Sequence, residues 1–414
     1  MDEYLLEEII EQQNSLIDTS NFIKRELFEK IIDLTKVVII TGIKHTGKST
    51  LLHQIRNKNT EKDNYIDFDN ADLINFNYKD FKTLITLFEE LYGKQATFYF
   101  DNIHFIDNWE VFVKKLHLNK NTIYLTVSSR TVISNKLEKH FFNKETLFPF
   151  TYKEYLNYYS TPIDSKEIEL KQQFNKYITN GGFPRYLINK DKLVLKTLYQ
   201  NIIYKEILVK NKLINEKEIL ALGIYILNNI GSTITYNKLK KVINVKHAQT
   251  IKNYIHYFMD SSLLFLVTKY DISIKKQRYN PRKMYFIDNG LLNYNRNKQQ
   301  SDEYIFLENL VFLALNKTNF NIFYHKDKHK CTFLLQKDTI IKHAIQVAYS
   351  VKHYIFKEME IKGLIEAMIK HNLDFGYILT HNDNEEEIFI KNKKIIILPI
   401  YKWLLKSKLL NTNE

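Results

Sequence analysis

The chain has 414 residues, 44% apolar and 26% charged, the balance of a globular protein with room for two or three domains rather than a disordered tail or a collagen-like repeat. Its single cysteine, Cys331, excludes an intramolecular disulfide and a multi-cysteine metal site, as expected in a reducing cytoplasm. The formal charge of +13 is concentrated: residues 191–300 hold 19 basic side chains against 7 acidic ones, residues 1–190 hold 25 against 26, and residues 301–414 hold 16 against 14.

The opening Met1-Asp-Glu-Tyr4 is acidic and lacks the basic start of a secretory signal. The best apolar run, Ile219–Leu227, stops at Asn228-Asn229, short of the ~18 residues that a membrane span needs. Helical patterns over Tyr4–Gln12 and Phe22–Leu34 lead into Lys36-Val-Val-Ile-Ile-Thr41, whose continuous β-branched residues predict a strand buried on both faces. Similar runs at Asn64–Phe68, Ala96–Asp101 and Thr122–Ser128, separated by helical patterns, predict an α/β domain built on a parallel sheet. After Gly181-Gly182 the pattern is mainly helical to about Ser261, and a two-stranded wing is expected next. From about residue 301 it reads as a helix, strands, a helix over Phe356–His371 and strands again. Three modules are expected: residues 1–190, 191–300 and 301–414.

Between the first strand and the helical run that follows, Gly42-Ile43-Lys44-His45-Thr46-Gly47-Lys48-Ser49 fits G-x-x-x-x-G-K-[ST] at every position, with Thr50 next. Glycines let such a loop curl so that backbone N–H groups form an anion nest, and the helix N-terminus adds positive potential beneath it. Lys48 is expected to reach the β- and γ-phosphates and the Ser49 hydroxyl to ligate Mg²⁺. Thr97-Phe-Tyr-Phe-Asp101 supplies the second metal ligand, a carboxylate at a strand tip. Asn102 follows, where many such ATPases carry Glu; an amide positions water but accepts no proton, so slow or absent hydrolysis is expected. If the rest of the site is competent, Asn102→Glu is expected to raise turnover. Asp107 and Glu110 read as solvated, and Ser128, with Ser129 and Arg130 after it, stands where a hydroxyl senses the γ-phosphate. No N-K-x-D guanine motif accompanies the loop. The loose Thr268-Lys-Tyr-Asp271 lies in the basic segment, and only Arg130 and Arg185 are placed to serve as a kinase lid, so ATP is the favoured nucleotide.

Taken together, these motifs resemble the AAA-like bacterial and archaeal ATPases that carry a C-terminal domain of unknown function. The resemblance rests on Ile23-Lys-Arg25-Glu-Leu27 before the loop and on Tyr99-Phe-Asp101-Asn-Ile-His-Phe-Ile-Asp-Asn-Trp109-Glu110 after it. It continues through Leu125–Ser129, Leu147-Phe-Pro149-Phe-Thr-Tyr-Lys-Glu154-Tyr and Tyr177-Ile-Thr-Asn-Gly181-Gly182-Phe183-Pro184. It implies that Gly182 and Pro184 close over the adenine. The chain departs from the family at Asn102, Val127 and Lys44, where Glu, Gly and Arg are usual.

In the basic block, Leu239, Val242 and Ile243 form one apolar stripe, and Ile251, Tyr254, Ile255 and Phe258 another. With the helical pattern Glu216–Asn229 they predict a helix-turn-helix. Lys246, His247, Gln249, Thr250, Lys252 and Asn253 then face outward near the start of the second helix. A basic wing is expected around Lys269, Lys275, Lys276, Arg278, Arg282 and Lys283, and the resemblance implies a winged helix. DNA contact is one expectation for this block, and protein docking is the other.

The family's last region resembles a PD-(D/E)XK nuclease. Glu308 matches its upstream acid, but Thr332, Gln346 and Ala348 stand where Asp, Glu and Lys are usual, which implies an inactive scaffold. His325, His329 and His343 nearby read as surface residues. The expected protein is an ATP-binding ATPase with slow or partner-stimulated hydrolysis; the alternative is a regulator or adaptor that binds ATP without hydrolysing it. A protein partner or oligomer is compatible with either.

Overall fold

In a computed structural model of the chain, the described residues are 1–15, 17–34, 36–128, 139–297 and 303–406, without the side chains of 354–356. Ser129 and Arg130 therefore lie outside them. The chain divides into two compact units, Met1–Pro149 and Phe150–Glu414.

The first unit is built on five parallel strands, β1 (Val37–Thr41), β2 (Tyr65–Asp67), β3 (Thr97–Asp101), β4 (Thr122–Val127) and β5 (Phe142–Thr146), in the order β2-β3-β4-β1-β5. Every residue of β1 is buried. Val37 and Ile39 enter one core with Leu6, Ile10, Phe100 and Leu125, while Val38 and Ile40 enter another with Leu51, Ile55, Tyr99 and Tyr124. A two-residue period with both faces covered is why this strand is continuously apolar. Each fully buried Ile or Val here contributes on the order of 1.5–3 kcal/mol. The fifth strand was not expected: Phe142-Asn-Lys-Glu-Thr146 lies at the edge of the sheet, half-exposed, and its polar residues carry no strand signal.

The second unit holds β6 (Thr233–Ile234), β7 (Leu264–Lys269), β8 (Arg282–Phe286), β9 (Asn321–Lys326), β10 (Lys330–Lys337), β11 (Ile340–Val347), β12 (Phe375–Thr380), β13 (Glu386–Ile390) and β14 (Lys393–Pro399). They form one sheet in the order β13-β14-β12-β11-β10-β9-β7-β8-β6. Strands from either side of residue 300 thus share a sheet, joined where β7 pairs in parallel with β9 through Thr268↔Phe323 and Lys269↔Tyr324.

Three local expectations need correction. The connection between β7 and β8 contains a helix, Ile274–Tyr279, so Lys275, Lys276 and Arg278 are exposed helix residues rather than part of a strand wing. Val242 is 53% exposed, and only Leu239 and Ile243 of its helix turn inward. Glu110 is buried in the first turn of the helix Trp109–Leu118, and His325 is buried as well, where solvated positions were expected. No helix among the described residues is long and apolar enough to cross a membrane.

Candidate functional site

β1 delivers the chain at Thr41, whose Oγ1 donates to Glu145 O at 3.2 Å. The loop then needs positive φ at Gly42 (153°), His45 (67°) and Gly47 (91°). A Cβ at Gly42 would lie 2.4 Å from Leu147 O, so only glycine fits there. The loop is braced from within, where Thr46 Oγ1 donates to Ile43 O at 3.0 Å, and from behind by Arg25. That guanidinium, 5% exposed, donates from Nη1 to Thr46 O at 2.7 Å and from Nη2 to Phe148 O at 2.6 Å. Gly47 then starts the helix Lys48–Lys58, which has no acidic residue in its first turn. Its N-terminus therefore presents unopposed positive potential to the loop. The buried Lys48 ammonium donates to Gly42 O at 3.0 Å and Ile43 O at 3.1 Å, which holds the cation over the loop.

Asp101 ends β3 and is fully buried. Its Oδ1 accepts from the Thr126 hydroxyl of β4 and from Asn102 N at 3.1 Å. Oδ2 is buried without a hydrogen bond. Burial, and then the charge of Asp67, pushes its pKa up to about 6, while the Ser49 and Thr126 hydroxyls and the Lys48 ammonium pull it down. A buried carboxylate with one orphaned oxygen, next to the exposed Ser49 hydroxyl and a lysine, is a donor set that fits a hard oxygen-seeking ion such as Mg²⁺. Lys48, Ser49 and Asp101 are thus brought together. Lys44 and Thr50 flank them, with Lys44 paired to Asp69 at 3.7 Å.

The neighbouring residues have partners of their own. Asn102, at φ 52°, donates from Nδ2 to Asp67 Oδ1 at 2.9 Å. Asp67 is in register with Asp101 across β2 and β3. The Ser128 Oγ lies 2.6 Å from His104 Nε2, and it is Thr126 that touches Asp101. Sequence reasoning passed over Asp67, Thr126 and His104. Asp67 could have been found, since Tyr65-Ile-Asp67 is an apolar run ending in an acid, as Thr97–Asp101 is.

In the second unit, Gly182 N donates to the buried Asp288 Oδ2 at 2.8 Å, and Gly182 O accepts from Phe150 N at 2.7 Å. Pro184 occupies the first turn of the helix Pro184–Asn189. Lys246, His247, Gln249, Lys252 and Asn253 are exposed on or just before the helix Ala248–Asp260, and Thr250 is half-buried. A cavity of about 260 Å³ beside them is lined by Tyr236, Asn237, Arg278, Tyr279 and Arg282, among others. Glu308 is 1% exposed, paired to Lys283 at 2.6 Å, and accepts from Tyr285 OH at 2.6 Å. Gln346 Oε1 accepts from Thr332 N at 2.9 Å. His325, Asp327 and Glu366 bring ligand atoms within 4.8 Å of one another. Asp327 is already held there by Lys370 at 2.5 Å and Lys269 at 3.2 Å, which makes the group an ion-pair cluster.

Residues 34–156 match a family model described as AAA domain, and residues 171–302 one described as Domain of unknown function (DUF8612). Uncharacterized protein MJ1544 of Methanocaldococcus jannaschii is 31% identical over 431 residues, covering 97% of this chain and 95% of that protein. The chain belongs to the same family as that archaeal protein. An uncharacterized protein of Haemophilus influenzae is 24% identical over 363 residues, covering 81% of this chain and 88% of its own. A solved structure of replication initiator DnaA bound to AMPPCP and single-stranded DNA aligns at TM-score 0.31 and 16% identity, over 60% of this chain and 94% of that one. The Thermotoga maritima RuvB Holliday junction branch migration motor aligns at TM-score 0.29 and 16% identity, over 62% and 94%. The AAA match covers all five parallel strands and the phosphate loop. The first unit is thus a parallel-sheet α/β core of the AAA P-loop type.

Proposed function

We propose that the chain is an ATP-binding AAA-type ATPase whose nucleotide site lies at the C-terminal ends of β1 and β3. The loop Gly42–Gly47 would cradle the phosphates, with Lys48 at the β- and γ-phosphates and Thr50 behind them. Ser49 and Asp101 would hold Mg²⁺, which when bound neutralises charge on the phosphates. Ser128 would sense the γ-phosphate. The observation that carries this reading is the orphaned Oδ2 of Asp101 beside Ser49 and Lys48. Leaving a buried carboxylate oxygen unpaired is costly unless a ligand uses it.

The second unit supports two finer assignments. The order is helix Glu216–Asn228, β6, helices Tyr236–Ile243 and Ala248–Asp260, β7, helix Ile274–Tyr279 and β8, with β8 pairing both other strands. Apart from the helix between β7 and β8, this order is compatible with a winged helix, and the exposed Lys246, His247, Gln249, Lys252 and Asn253 with the cationic Lys275, Lys276 and Arg278 suit a phosphate backbone. Helix Glu303–Leu315, the antiparallel β9-β10-β11, helix Tyr354–Lys370 and β12 parallel to β11 follow the order of a nuclease-like core. Glu308 is engaged by Lys283 and Tyr285, and Thr332, Gln346 and Ala348 offer no charge for a metal, so this part is read as catalytically inactive.

Binding of a fluorescent ATP analogue to the wild type and to Lys48→Ala tests the reading. Affinity is expected to fall about tenfold or more in the variant, the equivalent of one charge-assisted contact; unchanged affinity overturns the role of Lys48. Phosphate release above the Lys48→Ala control separates an ATPase from a non-hydrolysing regulator. DNA binding that weakens steeply from low to high salt supports the basic surface, and salt-independent or absent binding removes it.

A further inference from the structure

We propose that Asp67, at the tip of β2, is the carboxylate that holds and polarises the attacking water in this site, supplying the basic oxygen that the amide at position 102 lacks. This rests on the ATP-site reading above and goes one step beyond it.

A water attacking the γ-phosphorus must have its lone pair aimed at phosphorus while an acceptor holds one of its protons. Its oxygen then bonds to phosphorus as the bond to the bridging oxygen of the leaving ADP breaks, and the proton leaves with the released inorganic phosphate. The amide oxygen of Asn102 can hydrogen-bond such a water but is far too weak a base to draw on its proton, and the Asn102 NH₂ is directed at Asp67 Oδ1, 2.9 Å away. The acid and the amide stand side by side at the strand tips. Asp67 is the register partner of Asp101, one residue before Asn102, and its charge is close enough to raise the Asp101 pKa.

Asp67 is also held in place. Its backbone N donates to Gln13 Oε1 at 2.7 Å and its carbonyl accepts from Gln13 Nε2 at 3.3 Å, so the helix Glu3–Gln13 fixes the end of β2. Its Oδ1 accepts both from Asn102 Nδ2 and from Asp69 N at 2.9 Å. Its Oδ2 makes no hydrogen bond among the described residues, and the residue is half-buried. One oxygen is thus anchored and the other can still accept from a water. The other nearby acids suit the task less well. Asp69 pairs with Lys44 at the surface, Asp107 is exposed, and Glu110 is buried in the first turn of its helix.

The test uses the full-length chain with Mg²⁺ and follows two quantities, the affinity for a fluorescent ATP analogue and the single-turnover release of phosphate. Asp67→Asn is expected to bind within about threefold of the wild type while release falls about a hundredfold, the usual worth of a positioned acid or base. The exchange Asp67→Asn with Asn102→Asp keeps an acid–amide pair and is expected to recover most of that loss. A purely structural Asp67 would move binding and release together. Asn102→Ala frees the carboxylate without removing it and serves if Asp67→Asn does not fold; binding is expected to persist while release falls about tenfold. The proposal is overturned if the single Asp67→Asn variant hydrolyses like the wild type, if binding and release fall in parallel, or if the wild type binds Mg·ATP and releases no phosphate above Lys48→Ala. A wild type that binds no nucleotide at all fails differently, because it removes the ATP site itself.

Discussion

The carboxamide of Asn102 donates to Asp67 at 2.9 Å, so the residue after the buried acid of β3 is tied to the acid of β2. This contact argues against a gain in turnover from Asn102→Glu. Glutamate would lose the hydrogen bond, set a third carboxylate beside Asp67 and Asp101, and occupy φ 52°, where Asn is tolerated and Glu is strained. Asn102→Glu is expected to lower stability by about 1–3 kcal/mol, read as a lower urea midpoint, with no gain in phosphate release. A faster variant of unchanged stability would show that the pairing has no consequence.

Arg25 tests whether the loop is braced from behind. Its guanidinium spans the carbonyls of Thr46 and Phe148, a fork that a lysine cannot reproduce. Arg25→Lys is expected to cost about 1.5–3 kcal/mol and to weaken nucleotide binding. Equal affinity in a correctly folded variant would argue that the loop keeps its shape unaided.

The raised pKa of Asp101 gives a signed pH dependence. Because the folded state holds this proton up to about pH 6 rather than 3.8, its contribution to stability is fully present below about 3.8 and is lost as pH rises through 6. At pH 8 the buried charge costs up to about 3 kcal/mol. Asp101→Asn, which carries no charge at any pH, is expected to be more stable than the wild type in urea at pH 8 and no more stable at pH 4. It should also lose the Mg²⁺ dependence of nucleotide binding. A stability difference independent of pH would place the proton elsewhere.

Gly182 is packed from two sides. A Cβ would lie 2.3 Å from Phe150 O, and its N–H is held by Asp288 at 2.8 Å. Gly182→Ala is expected to destabilise the second unit by about 1–3 kcal/mol through overpacking. Asp288→Ala should cost about 1–2 kcal/mol, since Asp288 also accepts from Leu291 N at 2.8 Å as a helix cap. Thermal unfolding checks both, and an alanine tolerated at 182 would mean that the Phe150 segment yields.

Lys283 and Glu308 form an ion pair in which the carboxylate is 1% exposed. Lys283→Ala should cost about 3–5 kcal/mol by leaving that charge unmatched, whereas Lys283→Met with Glu308→Gln should cost much less. Denaturant unfolding of the two variants decides it. Metal-dependent DNA cleavage lost in Glu308→Gln would contradict the inactive reading of this part.

Much of the candidate site was legible in the sequence. The phosphate loop, the strand before it and Asp101 each depend on contiguous residues, because turn geometry, strand burial and helix initiation are set within a few positions of one another. The basic block was legible for a similar reason, since charge simply sums along a segment. The partners of these features were decided only by tertiary structure. Asp67 meets Asn102, Thr126 meets Asp101, Arg25 meets Phe148 and Lys283 meets Glu308 through strand order and helix packing across 25 to 123 positions of chain. The edge strand β5 and the sheet running through residue 300 escaped notice likewise, because hydrogen bonding between backbones leaves little mark on which side chains a strand carries.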